Sequence, residues 1–239
     1  MLNLSKKILM TTILTLGMAS YSYADIVLDD FDYTPQPDID IVVNQGSPFD
    51  TTQRNNINGF GGDVVYELTY GGGAANTDSS TVTFSPGQMA LSNDATMLST
   101  LLITYSEIFA PGNATIDFSS FNGFYYNLVS SDLGFSIVVT IGSGGGTNTS
   151  TFSRVSSAVS NLPGEFTRTN VLFSSFVAGL GGGADFTAVD YVSMSLTSDL
   201  EAVDLVFQEL GVTNVPEPTS LAIFGLGLMG LAFSARKKV

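Results

Sequence analysis

Few side chains in this 239-residue chain are of a type that does chemistry, and their spacing narrows what that chemistry can be. There is no His and no Cys. Ser-His-Asp and Cys-His catalysis, disulfide frameworks and the usual zinc ligand sets are therefore closed to it. Carboxylates remain. Asp29, Asp30, Asp32, Asp38 and Asp40 crowd one short stretch. Hard oxygen ligands of this kind suit a structural Ca²⁺, with Asp29, Asp30 and Asp32 as the tightest group, although no EF-hand loop is spelled out. A solvated acidic edge is the alternative reading. Glu67, Glu107 and Glu165 are the candidates for a paired-carboxylate glycan hydrolase, each in an ordinary strand or loop context. Phe124-Tyr125-Tyr126 alternate across a strand, which would put one aromatic ring on the surface where a sugar could stack, but core packing or edge covering is the better reading of them.

Glycines offer a second kind of chemistry. Gly225–Gly230 reads GLGLMG and fits the dinucleotide-binding pattern G-x-G-x-x-G. That pattern needs a strand before it and an acid about 20 residues after it. Pro216-Glu217-Pro218 stands where the strand should be, and no acid follows. Nucleotide binding is therefore not expected. The other glycine clusters, at 59–62, 71–73, 144–146 and 181–183, precede no Lys-Ser/Thr and read as turns and loops.

The chain's two ends carry a different signal. Lys6 and Lys7 precede an apolar run from Ile8 to Met18, and Ser22-Tyr23-Ala24 places small residues at the −3 and −1 positions of a cleavage site. This reads as a secretory signal peptide over residues 1–24, cut between Ala24 and Asp25; an uncleaved helix is the alternative. At the other end Leu221 to Phe233 is unbroken apolar sequence, followed by Arg236, Lys237 and Lys238. Residues 219–235 as a helix rise about 26 Å, a minimal membrane span. The basic tip anchors it on the cytoplasmic side. Two prolines hold the segment before it extended, a form a protease cleft can grip.

Pro216-Glu217-Pro218, an apolar span and a basic terminus, in that order, resemble the PEP-CTERM sorting signal, also known as an ice-binding protein C-terminal domain. The resemblance covers residues 215–239. It implies export through the Sec machinery by a Gram-negative bacterium that makes exopolysaccharide. It further implies a transient inner-membrane precursor, and processing by an exosortase at or near Pro216, Glu217 and Pro218, which would be substrate rather than catalytic residues. A plain C-terminal anchor is the alternative.

Those ends must be carried by a body, and the body reads as all-β. Between Asp25 and Asn214, runs rich in Val, Ile, Thr, Tyr and Phe alternate with Gly, Asn, Ser and Pro clusters. Strands are expected at 26–28, 39–43, 64–70, 81–84, 88–91, 101–105, 115–118, 125–129, 135–141, 151–154, 167–173, 191–197 and 202–209. Phe135, Ile137, Val139 and Ile141 share one face, as do Val192, Met194 and Leu196. One domain over 25–214, an antiparallel two-sheet sandwich of jelly-roll type, closes this many strands with few exposed edges. Leu28–Phe31 (LDDF), Ala114–Phe121, Ser131–Ile141, Ala184–Leu196 and Leu200–Leu210 are similar in order to segments of other PEP-CTERM proteins, whose bodies look like galactose-binding-like jelly rolls.

Charge bounds the partners. The body holds 21 acids and only three bases, Arg54, Arg154 and Arg168, a net of about −18. Such a surface repels phosphate backbones, so no nucleic acid is expected as a partner. The reading is an exported cell-surface or extracellular-matrix protein, non-enzymatic, with a structural or adhesive role linked to exopolysaccharide. The alternative is a carbohydrate-binding jelly-roll module, and after it a glycan-active enzyme. No cofactor is expected beyond the structural Ca²⁺ considered above.

Overall fold

Alternating apolar residues produce strands here because period-two patterning puts every second side chain on one face, and that face must find another to bury against. The structure, a computed structural model, describes residues 25–33, 40–57, 61–73, 77–109 and 115–215, with the side chains of 55–57, 61 and 107–109 outside that description. The described strands are β1 (Ile26–Asp29), β2 (Ile41–Asn44), β3 (Phe49–Ile57), β4 (Gly61–Gly72), β5 (Ser79–Ser85), β6 (Gln88–Asn93), β7 (Leu98–Phe109) and β8 (Gly123–Ser131). They continue with β9 (Phe135–Ser143), β10 (Asn148–Ser156), β11 (Val159–Ser160), β12 (Thr167–Leu172), β13 (Val177–Ala178), β14 (Val189–Thr197) and β15 (Leu205–Thr213). Two single-turn 3₁₀ helices flank β13, at Phe173–Ser175 and Leu180–Gly182.

Two sheets result, and every described pairing in them is antiparallel. One runs β11-β8-β15-β6-β5-β2, with β1 also on β15 and β12 also on β8. The other runs β13-β10-β9-β14-β7-β4-β3. Their inner faces share one apolar core: Phe135 of β9 meets Phe207 of β15 at 6.1 Å between ring centroids, and Tyr66 of β4 meets Phe84 of β5 at 4.7 Å. The two faces expected from the alternation, 135/137/139/141 and 192/194/196, are both buried in it. All these strands fall in one compact unit, Asp25–Thr213. The expected signal helix and C-terminal membrane helix, over 1–24 and 216–239, lie outside the described residues, as do Ala24, Pro216, Glu217, Pro218, Arg236, Lys237 and Lys238. Among the described residues no helix is long and apolar enough to cross a membrane.

Two strand expectations are corrected, and one long strand was not expected. Residues 115–118 form no strand; Ile116 makes only an isolated bridge to Val189, because the Asp117 carboxylate takes the Ser119 N–H (2.7 Å) and turns the chain. The last strand begins at Leu205 rather than Ala202: Ala202 has φ 62°, and the Asp204 N–H donates to the Asp132 carboxylate (2.8 Å). Conversely β3, sequence FDTTQRNNI, is a full strand with almost no apolar signal. It is an edge strand, paired with β4 alone in the described sheet, so its composition is free to be polar.

Candidate functional site

The fold places the acids at and just after the end of β1 very unevenly. Asp29 is wholly buried, Asp30 half-buried and Asp32 exposed. The Asp29 side chain crosses between the sheets. Its Oδ2 accepts from the hydroxyls of Tyr33 (2.7 Å), Tyr66 of β4 (2.7 Å) and Tyr105 of β7 (2.9 Å). Its Oδ1 accepts the Phe31 N–H at 2.8 Å. That last bond closes a turn in which Phe31 takes φ 54°, a left-handed conformation costing roughly 1–2 kcal/mol in a residue with a Cβ. The reward for the strain is burial: the Phe31 ring is completely inside. The Tyr33 and Tyr66 hydroxyls also stand within bonding reach of each other, an alternative to Asp29 for the one proton each carries, and the buried Arg54 guanidinium lies 4.9 Å from the Tyr33 ring centroid and 5.7 Å from that of Phe84. Burial pushes the Asp29 carboxyl up to about 6, opposed by the hydrogen bonds of Tyr66, Tyr33, Phe31 and Tyr105. Burial, and then the Asp29 charge, push the Tyr66 and Tyr105 phenols far up, so they act as fixed donors. Asp29 thus serves as an inter-sheet tie. No group of three or more His, Cys, Asp or Glu among the described residues could hold a metal ion.

Of the two readings of Phe124-Tyr125-Tyr126, core packing with edge covering is the one the structure bears out. All three are buried. Phe124 and Tyr126 face the core, and Tyr125 faces outward but is roofed over. The Arg168 guanidinium of β12 lies 3.7 Å from its ring centroid, held there by Asp25 (Nη to Oδ2, 2.7 Å). The Tyr125 hydroxyl donates to Glu209 Oε1 at 2.6 Å. Sequence periodicity assigns faces correctly but cannot see a side chain from a neighbouring strand folding over one of them. Arg168→Ala is expected to cost only about 1 kcal/mol, since the pair is part-exposed, while making Tyr125 fluorescence accessible to a neutral quencher; equal quenching in wild type and variant would contradict the roof.

One open cleft of about 340 Å³ is lined by Ser130, Ser131, Asp132, Ala158, Val159, Ser160 and Asp204. Sequence reading did not single out Asp132 or Asp204, since nothing local marks them. The structure orients both: Asp132 Oδ1 accepts the Asp204 N–H (2.8 Å), and Asp204 Oδ1 accepts from Ser92 Oγ (2.7 Å) and the Asn93 N–H (3.1 Å). Of the expected catalytic candidates, Glu67 is half-buried on β4, Glu165 is exposed on the loop before β12, and the Glu107 side chain lies outside the described residues. None of the three lines this cleft.

The ends of the unit are fastened together. Ile26 pairs with Val212, and Thr213 Oγ1 donates to Asp25 Oδ1 at 2.5 Å. Beyond Thr213 the chain leaves β15 as coil at Asn214 and Val215. The stretch that begins there, residues 214–238, matches the PEP-CTERM protein-sorting motif when compared with protein families. Residues 214–238 are a PEP-CTERM sorting motif. The motif is a protein-sorting signal, and it begins one residue after the last strand ends.

A comparison with curated proteins finds no match. Among solved structures, the chain is similar to the family 11 carbohydrate-binding module of a cellulosomal cellulase of Clostridium thermocellum, at 13% identity over 82% of this chain and 98% of that one, with a TM-score of 0.42. It is similar to the solution structure of CtCBM11 at 15% identity over 84% and 100%, with a TM-score of 0.40. A third similarity is to PfGH50B, at 13% identity over 63% of this chain, with a TM-score of 0.40; the chain spans only 22% of that protein's length. Likenesses this distant carry no argument about the present chain.

Proposed function

We propose that this chain is a non-enzymatic structural or adhesive protein of the cell envelope or exopolysaccharide matrix, delivered by its two terminal signals. The single observation that supports this reading is the sorting motif abutting a strand-built body whose two ends are bonded to each other through Asp25 and Thr213. A body held in this way retains its end-strand pairing when both flanking segments are removed. Cleavage between Ala24 and Asp25 leaves the Asp25 carboxylate free to hold Arg168 and Thr213. Processing near Pro216, Glu217 and Pro218 leaves β15 intact, while Arg236, Lys237 and Lys238 stop transfer until then. Mass spectrometry of the protein recovered from the medium is expected to show a chain starting at Asp25 and ending near Pro216. An intact C-terminus retained in the membrane would overturn the processing reading.

A second reading, carbohydrate binding, is favoured by the cleft at Asp132 and Asp204. Its volume lies at the lower end of small-ligand sites, and it joins two fixed carboxylate acceptors to serine hydroxyls and the apolar Val159. Electrophoresis through gels containing neutral polysaccharide tests it. Retardation of the wild type that is lost in Asp132→Asn with Asp204→Asn supports glycan binding there, and equal mobility with and without glycan excludes it.

A further inference from the structure

Charge and apolar exposure are segregated on this body in the same place. Residues 133–184 contain one acid, Glu165, and two bases, Arg154 and Arg168, for a net of +1. The rest of the body, with 20 acids and Arg54 as its one base, carries −19. Six of the nine large apolar side chains left exposed among the described residues fall in that same acid-poor stretch: Val155, Leu162, Phe166, Leu172, Val177 and Leu180. Val155 and Val177 are each 72% exposed.

The fold puts these residues on one margin of the sandwich. β12 is an outer strand of the first sheet and β13 caps the edge of the second. The short link between them is pinned inward, Phe173 against Phe118 and Phe186, and Phe176 against Phe152. Val177 and Leu172 therefore sit on a built, ring-supported margin. Beside them, β10 is bonded to β9 along Asn148–Ser156 but to β13 only at Ser150 and Thr151. The outer side of Ser153–Ser156, with exposed Arg154 and Val155, is an unpaired strand edge among the described residues. Strand edges of this kind accept another strand.

We propose that this margin is the contact between two copies of the chain, joined about a two-fold axis with β10 against β10 of the second copy. Electrostatics selects the geometry. Two bodies carrying −19 elsewhere repel wherever those acids meet, and this margin, built from the acid-poor stretch and bordered by Asp25, Asp132 and Asp204, brings together less negative charge. A two-fold contact sets the apolar side chains of one copy on those of the other, because an isologous interface is complementary to itself. A polyanionic glycan is a poorer occupant. The margin offers it two guanidiniums, one already bonded to Asp25, and a row of aliphatic side chains with no matching partner.

The test is sedimentation of the protein recovered from the medium. The wild type is expected to dimerise at concentrations in the range of about 1–100 µM. Val177→Glu, which adds an acid to the margin at a position too exposed to disturb the core, is expected to weaken the dimer at least about tenfold. Val42→Glu, on β2 away from the margin, should dimerise like the wild type. A wild type that stays monomeric throughout that range overturns the proposal. So does a dimer that survives Val177→Glu, or one lost equally in Val42→Glu. Co-sedimentation with an acidic polysaccharide by a monomeric protein, abolished by Val177→Glu, would replace the second copy with that glycan.

Discussion

Replacing Asp29 with Ala is expected to lower the unfolding free energy of the body by about 3–5 kcal/mol, the cost of breaking a buried charged hydrogen-bond centre. Two buried phenols, the half-buried Tyr33 hydroxyl and the Phe31 N–H all lose their acceptor at once. Asp29 stands on β1 of the first sheet while Tyr66 and Tyr105 belong to the second, so the loss is felt as separation of the sandwich rather than local fraying. Chemical denaturation at fixed pH measures it, and a change below about 1 kcal/mol would show that the tie is dispensable. Asp29→Asn separates charge from shape. An amide presents one oxygen, so either the phenols or the Phe31 N–H must face an NH₂ group. It should still fold, with a loss of about 1–3 kcal/mol.

The same residue sets a pH dependence whose sign can be worked out. Burial holds the folded carboxyl at about 6 against an ordinary 3.8. Between those values the folded chain binds a proton that the unfolded chain has released. Stability from this group is therefore fully present below about pH 4, falls as pH rises to about 6, and is level above it. The total is about 3 kcal/mol. Asp117 and Asp185 are exposed and held below their ordinary values by Ser119 and Thr187, so they act in the opposite direction at lower pH. Denaturation at pH 4.5 and pH 7 is expected to show the wild type more stable at the lower value and Asp29→Asn with a much smaller difference. Equal pH responses would remove Asp29 as the source.

Gly211→Ala is the second large effect. An added Cβ would lie 2.2 Å from the Ile26 carbonyl oxygen and 2.9 Å from the Tyr125 ring and hydroxyl. The first contact is backbone of the paired strand, so β1 must move off β15 to admit a methyl group. The expected cost is about 3 kcal/mol, at the upper end for overpacking. Hydrogen exchange should localise it, with protection lost at Ile26–Asp29 and Leu210–Thr213 while β9 and β14 keep theirs. Gly145→Ala is the control. It has open space around its Cβ but φ 68°, so only a backbone strain of about 1 kcal/mol applies. If the two substitutions cost the same, the close approach of β1 is not what requires glycine at 211.

The sequence by itself determined the fold class, the faces of the long regular strands and the address carried at the C-terminus. Alternation in 135–141 and 192–196 reports burial directly, because a strand's side chains have only two sides to choose from. The sorting motif is legible because it is contiguous: recognition of an extended peptide needs no partner from elsewhere in the chain. What depends on contacts between distant residues was decided by the tertiary structure alone. β3 is a strand because β4 offers a ladder, whatever its polar sequence prefers. Asp29 looked like one member of a solvated acidic run, and becomes a buried tie because Tyr66 and Tyr105 arrive from the other sheet, 37 and 76 residues away. Tyr125 is hidden by Arg168 from a neighbouring strand, and Asp132 meets Asp204 from 72 residues away. In each case the local residues fix only a direction, and what stands in that direction is set by the pairing order of strands distant in the chain.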